Sequence, residues 1–374
     1  MALVSQMFAT LRSRMDVVAV TGGSGLTGRF VVDRLLKCGR YKEIRIIDRV
    51  PSSRTGSDAV VLRHYETDLS DEGALERALQ GCNAVVHCAH AEMCWTYMDK
   101  ATTEAMWRDN LTVTEMLVDT MERLGVKKLV HVGDAYSALP IEDNYGLGEH
   151  VFIDYPSNYL LGEYGESRTR GEMYARIACK RGDSLHAVFL RPVHVHGEEG
   201  SSSWFSLIEM AKQGHVPYIE GERRGLHQFI YAGNLAAIVD RCLIKLSADP
   251  QLLNGELIYC VDDTNATPFR EFLERRVRSP QFSPKVAVSF EKAFLHHYLN
   301  YIKKNVGLKP SSDALSYTMF RFLFAKTIGF SNRRQRILLD FIPEVSPEES
   351  MKLTLQMAKV IENSSIPRAA VRSG

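Results

Sequence analysis

The chain holds no uninterrupted apolar run of about 18 residues or more, so no segment reads as a spanning helix. It also lacks an excess of either charge. Its 46 Lys and Arg against 45 Asp and Glu leave a formal net charge of +1. There is no long basic run, only the small clusters Arg223-Arg224 and Arg333-Arg334, which argues against a nucleic-acid partner. Cysteine is sparse: the seven are scattered, odd in number and without metal-ligand spacing. That pattern excludes a disulfide framework and a metal site, and it points to reduced thiols in an intracellular protein. No internal repeat and no low-complexity linker interrupts the chain. Residues 1–15 contain no acid but carry Arg12 and Arg14. They read as an extension before the first strand, with a mitochondrial presequence as the alternative.

What is present is more telling. Val17-Val18-Ala19-Val20 is an apolar strand that feeds Thr21-Gly22-Gly23-Ser24-Gly25-Leu26-Thr27-Gly28 and then a helix. Gly22 and Gly25 let the backbone turn tightly and approach a pyrophosphate, while Gly28 lets the helix sit close on the strand. The helix start offers free N–H groups to the anion. After a stop at Cys38-Gly39, a second apolar run Ile44-Arg45-Ile46-Ile47 ends in Asp48, twenty residues beyond Gly28. A carboxylate there accepts hydrogen bonds from the ribose hydroxyls and repels a 2′-phosphate, which favours NAD over NADP. Arg49 beside it reads as a solvated surface charge.

Strand and helix patterns then alternate: a strand at 60–64, a helix at 71–79, a strand at 84–87, a helix at 104–124 stopped by Gly125, and strands at 129–132, 187–190 and 257–260. Such units build an α/β fold, a Rossmann-type doubly wound parallel sheet, here with a smaller, irregular C-terminal substrate lobe. The expected division is an N-terminal extension 1–15, an NAD-binding core 16–195, a substrate lobe 196–362 interleaved with late core strands such as 257–260, and a disordered tail 363–374. The 374 residues, 45% of them hydrophobic, are enough for that core. Ligands lie at the carboxyl ends of such strands. The dinucleotide contacts expected there are Gly22, Gly25, Leu26, Gly28, Asp48 and Arg49, then Asp68, Leu69, Ala89 and Pro192.

Other features remain open. His87, His131, His194 and His196 near strand ends read as hydrogen-bonded structural residues, and His90 as a candidate contact at the nicotinamide edge. The aromatic run from Tyr317 through Phe320, Phe322 and Phe324, with residues 294–302 upstream, reads either as an amphipathic, surface-seeking or substrate-covering element or as core packing.

The chain resembles the extended short-chain dehydrogenase/reductases, and within them the 3-beta-hydroxysteroid dehydrogenase/isomerase family. The anchors are Thr21-Gly22-x-x-Gly25-x-x-Gly28, Asp48, Thr67-Asp68-Leu69, Val86-His87-Cys88-Ala89, Asn110, Leu190-Arg191-Pro192 with Gly197-Glu198, Tyr231-x-Gly233-Asn234-Leu235-Ala236, and 330–336. In that family a tyrosine paired with a lysine four places on is the acid/base for hydride transfer. A serine thirty residues earlier steadies the substrate oxygen, and an asparagine supports the proton relay. The resemblance assigns the tyrosine to Tyr164 and the asparagine to Asn110. Arg168 stands where the lysine is expected and Asp134 where the serine is expected, with Ser137 as a substitute if the loop shifted. Tyr155 and Tyr159 have no basic residue four places on. Tyr164 and Arg168 also join the expected dinucleotide contacts.

The double change suggests an ion pair between Asp134 and Arg168, each compensating the other. Three functions follow: an NAD-dependent oxidoreductase acting on a 3β-hydroxyl of a steroid or similar apolar alcohol, a catalytically impaired relative that binds dinucleotide or sterol, or an extended short-chain enzyme acting on another substrate such as a nucleotide sugar. The resemblance further implies pairing of two subunits through helices 104–124 and 164–179. The setting it implies is cytoplasmic or peripheral on the endoplasmic reticulum membrane, with a mitochondrial location as the alternative.

Overall fold

The computed structural model describes residues 17–141, 144–149, 156–182, 184–198, 200–221, 224–277, 287–310 and 314–363. The extension 1–15, Tyr155 and the tail beyond residue 363 lie outside these. Seven strands, β1 (Val17–Thr21), β2 (Glu43–Asp48), β3 (Val61–Glu66), β4 (Ala84–His87), β5 (Lys128–Val132), β6 (His186–Pro192) and β7 (Leu257–Cys260), form one sheet in the order β7-β6-β5-β4-β1-β2-β3. Every neighbouring pair is parallel. The order reverses between β1 and β4, the switch point where a doubly wound sheet opens a crevice for a ligand.

Period-two alternation decides which helices cover which face. Val18 and Val20 of β1, Ile44 and Ile46 of β2 and Val130 of β5 face one way. They pack with α1 (Leu26–Cys38), through Val31, Val32 and Leu35, and with the later helix Ala232–Ala248. Ala19, Ile47, Val85, Leu129 and Phe189 face the other way, onto α2 (Glu72–Leu79), α4 (Val113–Leu124) and α5 (Gly162–Ala178). Both faces are dry, as the near-continuous apolar strands require. Local signals set the helix ends. The Asp71 side chain accepts the Ala74 N–H at 3.0 Å, and Gly39 at φ +60° returns its N–H to the Leu36 carbonyl at 3.3 Å.

Two segments differ from the sequence reading. The helix expected at 104–124 begins earlier, as α3 (Lys100–Trp107) capped by Asp99, and passes through a π-helical turn over Arg108–Thr112 before α4. The extra residue in that turn comes where Asn110 is buried between two neighbours, a contact that pattern alone does not signal. The aromatic run divides as well. Tyr317–Phe320 and the π-turn Arg321–Ala325 bury Met319, Phe320, Phe322, Leu323 and Phe324 completely or nearly so, which makes that run core. Its rings close over the sheet's carboxyl edge: Phe322 lies 5.1 Å from Tyr136 and 5.4 Å from His194, centroid to centroid.

The buried pair between Arg191 of β6 and Glu172 of α5 ties helix to sheet, with Nε to Oε2 at 2.9 Å and Nη2 to Oε1 at 2.8 Å. The two side chains are 4% and 2% exposed, so removing one partner strands a charge in the core. Glu172→Ala is expected to cost about 3–5 kcal/mol in urea unfolding. Glu172→Ala combined with Arg191→Met should recover most of that, because it removes both charges together.

Buried histidines set a second expectation. Burial holds His131 down to about 3 and His227 and His297 to about 4, against an ordinary 6.5. The unfolded chain therefore binds more protons below its own pKa, so the stability present above pH 6.5 is lost as pH falls toward these depressed values. Each histidine costs about 2 kcal/mol at about pH 5. Urea titrations should therefore show the free energy of unfolding falling as pH drops from neutral into the mildly acid range. An unchanged free energy would mean that they are charged or exposed in the fold.

Candidate active site

The crevice at the switch point is built by close approach of backbones. Gly22 has φ +66°, and a Cβ there would lie 2.6 Å from the Ala89 backbone where the chain leaves β4. A Cβ on Gly28 would lie 2.0 Å from the Gly22 carbonyl oxygen. No other residue fits either position. Gly23, which the sequence reading left unassigned, is nearly as confined, with Ile46 Cγ2 at 2.9 Å from its would-be Cβ. Gly25 caps α1 without any side-chain hydrogen bond, so the first-turn N–H groups, beginning at Leu26, have no side-chain acceptor.

Asp48 closes the far wall. Its Oδ2 accepts the Ser24 N–H at 2.9 Å and its Oδ1 the Val50 N–H at 3.0 Å, which leaves further lone pairs for a hydroxyl donor. Arg49 is exposed, in keeping with the solvated reading, and is also ion-paired. Its guanidinium pairs with Asp109 at 2.9 Å and lies 3.6 Å from Asp68. Asp68 is itself fixed by the Ser70 N–H and hydroxyl at 2.8 and 2.7 Å, and Leu69 beside it is buried. At the other edge the Pro192 carbonyl, which ends β6, accepts the Ala135 N–H at 3.0 Å.

β5 delivers the reactive end. Beyond Val132 the chain turns at Gly133, whose N–H bonds the Leu190 carbonyl at 2.7 Å, and presents Asp134. Asp134 Oδ1 accepts the Tyr136 N–H at 2.7 Å, and Oδ2 accepts the Tyr164 hydroxyl at 3.4 Å. Tyr164 comes from the first turn of α5, which reaches this position because two glycines let it. A Cβ on Gly165 would sit 2.6 Å from the Ser137 carbonyl oxygen, and one on Gly171 would sit 2.3 Å from that of Asn110. Neither glycine carried a sequence signal as a functional residue, and Glu172, which anchors the same helix, carried none either.

The ion pair expected between Asp134 and Arg168 is not formed. Arg168 is nearly buried and donates from Nη2 to the Val132 carbonyl at 3.4 Å, while its Nε, also buried, has no hydrogen-bond partner. The helix presents Tyr164, not Arg168, to the carboxylate. Ser137 does not take the missing serine's place, since its hydroxyl donates back to the Asp134 carbonyl at 3.0 Å. Asn110 acts as a brace: Nδ2 donates to Ser167 Oγ at 2.9 Å, and Oδ1 accepts the Ala91 N–H at 2.9 Å. Both of its polar atoms are engaged away from the phenol. Ser167 in turn bonds the Tyr164 carbonyl at 3.1 Å, so Asn110 holds the turn that carries the tyrosine.

Burial, reinforced by the Asp134 charge and opposed by Arg168, pushes the Tyr164 phenol well above its ordinary range. Burial also raises Asp134, against the pull of Arg168 and the hydrogen bonds from Tyr136 and Tyr164. The pair therefore combines a phenol that resists ionising with a carboxylate more basic than usual. His90 bonds the Cys88 carbonyl at 2.8 Å and is held neutral by burial, down to about 3. His87 is spoken for by Thr21 at 2.7 Å and Thr114 at 3.1 Å. His194 meets His227 at 3.3 Å inside the aromatic layer. Among the described residues no cluster of His, Cys, Asp or Glu is arranged to hold a metal ion.

These residues fit a dinucleotide. The glycine cradle and the free start of α1 suit a pyrophosphate, Asp48 retains acceptor capacity for ribose hydroxyls, and the orphaned Arg168 Nε is a buried donor that a second ribose would satisfy.

Comparison with known proteins agrees with this geometry. The chain is 26% identical over 257 residues to a monkeypox virus protein named 3 beta-hydroxysteroid dehydrogenase/Delta 5-->4-isomerase, covering 66% of this chain and 72% of that one. It is 24% identical over 347 residues to the human sterol-4-alpha-carboxylate 3-dehydrogenase, decarboxylating, covering 90% and 87%. Its fold is similar to that of the UDP-glucuronic acid 4-epimerase from Bacillus cereus, solved with UDP-glucuronic acid and NAD, at a TM-score of 0.64 and 18% identity over 92% and 99% of the two chains. The sequence profile of one family matches residues 19–291, nearly the whole sheet with its crevice. By that match the chain belongs to the 3-beta hydroxysteroid dehydrogenase/isomerase family, oxidoreductases of the extended short-chain dehydrogenase/reductase type.

Proposed function

We propose that this chain is an NAD-dependent oxidoreductase that oxidises the 3β-hydroxyl of a steroid or sterol to a ketone. The observation that carries the reading is the contact between Tyr164 Oη and Asp134 Oδ2 at the mouth of the glycine crevice. When bound, the dinucleotide supplies the hydride acceptor. Tyr164 faces the alcohol, takes its proton on Oη and passes its own phenolic proton to Asp134 Oδ2. One proton is thus stored on the carboxylate for each hydride that leaves the carbinol carbon. A phenol pushed this high is not ionised in advance, so an adjacent base is needed in place of the usual ammonium. Asp134 is that base, and the 3.4 Å contact is of the loose kind that tightens once substrate is seated.

Choice of cofactor follows from charge. Asp48 disfavours a 2′-phosphate, and Arg49, engaged by Asp109 and Asp68, is not presented as a free cation to receive one. For the substrate, the relatives named above act on steroids or sterols by their names. The likeness to the epimerase carries no argument about substrate at 18% identity.

One observation favours a second reading. Arg168 is drawn to the Val132 carbonyl, so no cation is hydrogen-bonded to Tyr164, and the chain would then bind dinucleotide and sterol with little turnover. NADH formation with a panel of 3β-hydroxysteroids separates the two. The first reading expects turnover that Tyr164→Phe and Asp134→Asn each lower by about 10²–10⁴-fold, with the double variant no worse than the singles. It also expects the parent rate to fall with acid as the raised Asp134 takes up its proton. NAD binding without NADH formation, together with activity gained by Asp134→Ser plus Arg168→Lys, establishes the second reading instead.

Asp134 also leaves a mark on stability. Its folded pKa is raised, so the stabilising contribution belongs to the protonated form, is present below the ordinary value of 3.8 and is lost as pH rises through the folded one. Asp134→Asn should therefore melt above the parent at neutral pH, and the gap should close in acid. Equal melting temperatures at neutral pH would show that the carboxylate is not destabilised by burial.

A further inference from the structure

His87 ends β4 beside the glycine turn and is not used by the proposed hydride chemistry. It is 2% exposed, and Thr21, Thr114, Asn110 and Ser167 around it are between 0% and 3% exposed. At that depth these groups must satisfy one another, so the direction of each bond follows from counting protons. The Thr114 hydroxyl lies 2.8 Å from the Asn110 carbonyl oxygen, which can only accept, so its single proton goes there. His87 Nε2, 3.1 Å from the same Thr114 oxygen, is then the donor. Burial, with the nearby His131 and Arg168, holds the ring neutral. Its Nδ1 therefore carries no proton and accepts the Thr21 hydroxyl at 2.7 Å. Beyond Thr114, Asn110 Nδ2 donates to Ser167 Oγ at 2.9 Å, and the Ser167 hydroxyl donates to the Tyr164 carbonyl at 3.1 Å. All of these bonds point one way, from the end of β1 to the turn that carries the phenol.

We propose that His87 is a positioning residue that couples occupation of the glycine turn to the placement of Tyr164, through the one-way row Thr21, His87, Thr114, Asn110, Ser167 and Tyr164. The first end is fixed to the cofactor cradle. Thr21 directly precedes Gly22, whose N–H bonds the Ile47 carbonyl at 2.9 Å, and the Thr21 carbonyl accepts the Cys88 N–H at 3.0 Å. An anion held on that turn orders Thr21 with it. The middle is fixed by the π-turn and α4, which supply Asn110 and Thr114. There α5 presses in at Gly171, where a Cβ would lie 2.3 Å from the Asn110 carbonyl oxygen and 3.2 Å from Thr114 Oγ1. A neutral imidazole accepts at one nitrogen and donates at the other across a rigid ring, which is what a link between β1 and α4 requires. Aligned bonds polarise one another, and breaking or reversing one link strands a buried donor or acceptor. A ligand that orders Thr21 thereby orders the turn of Tyr164, and by reciprocity the intact row tightens the ligand by the same factor. The inference rests on the dinucleotide reading of the crevice and not on turnover.

Hydrogen exchange of the full chain with and without ADP tests it. ADP offers a diphosphate and the adenosine ribose but no second ribose and no nicotinamide, so it fills the glycine turn without reaching Tyr164 or Arg168. In the parent, ADP should slow exchange at 22–28 and, through the row of bonds, at 164–168 by about fivefold or more. Thr114→Val removes the hydroxyl with little change of shape. ADP should still protect 22–28 in that variant, while its protection of 164–168 disappears. Thr114→Ser, which restores the hydroxyl, should recover it. The ring gives a second signature: nitrogen NMR should place the His87 proton on Nε2 in the parent and in Thr114→Ser, and on Nδ1, facing Thr21, in Thr114→Val. Should Thr114→Val not fold, Thr21→Val breaks the first link and is read by exchange in the same way. The inference is overturned if ADP protects 22–28 but not 164–168 in the parent, if Thr114→Val keeps the parent's protection at 164–168, or if the parent's ring proton sits on Nδ1. Absence of protection at 22–28 in the parent overturns the dinucleotide reading and the inference with it.

Discussion

The two-point pairing of Arg191 with Glu172 is the constraint on which the site depends. Neither charge is tolerable alone at this depth, because an isolated ion in the core costs several kcal/mol, about what a whole domain has to spare. Satisfied by each other, they fasten α5 to β6 at 2.8 and 2.9 Å. The helix is then pressed toward β5 and the π-turn, and only glycine at 165 and 171 permits the approach. Tyr164 reaches Asp134 as a consequence. The catalytic phenol is thus positioned by residues that touch neither substrate nor cofactor.

Within that frame the electrostatics differ from those of a tyrosine beside a lysine. An ammonium near a phenol stabilises the phenolate, whereas a buried carboxylate near a phenol destabilises it and offers itself as the proton's destination. Arg168 cannot restore the first arrangement, because its planar fork of fixed charge donates to the Val132 carbonyl and not to the tyrosine. The same guanidinium still damps the rise in both pKa values from a distance. Two substitutions that look like damage in sequence become, in three dimensions, a phenol and carboxylate in contact with a cation held to one side.

The C-terminal part of the chain shows how composition alone misassigns surfaces. Tyr317–Phe320 and Arg321–Ala325 are the more aromatic stretch and are packed inside, where Phe322 meets the ring of Tyr136. The less aromatic helix before them, Phe290–Asn305, keeps its leucines outside, because its inner face is already committed to His297, Asn300 and the ring of Phe320. Which apolar residues face out is decided by the partner beneath the helix, not by hydrophobicity.

Much of the frame was legible in residue order. Strand followed by glycine turn followed by helix, Asp48 at the end of β2, and alternating apolar runs specify a doubly wound sheet, because backbone sterics and period-two burial act over a few residues at a time. Tyr164 and Asp134, thirty residues apart, were singled out by the family resemblance and not by local pattern. Their contact was not legible, nor was the failure of Arg168 to join them, the role of Asn110 as a brace, or the pairing of Arg49 with Asp109. Each of these depends on the distance and angle between elements remote in sequence, set by packing, glycine clearance and buried charge. Local pattern determined the elements, the glycine turn and Asp48, and resemblance named the polar groups at the reactive end; the tertiary structure alone decided which of those groups meet, because an interaction of a few ångströms cannot be read from separation along the chain.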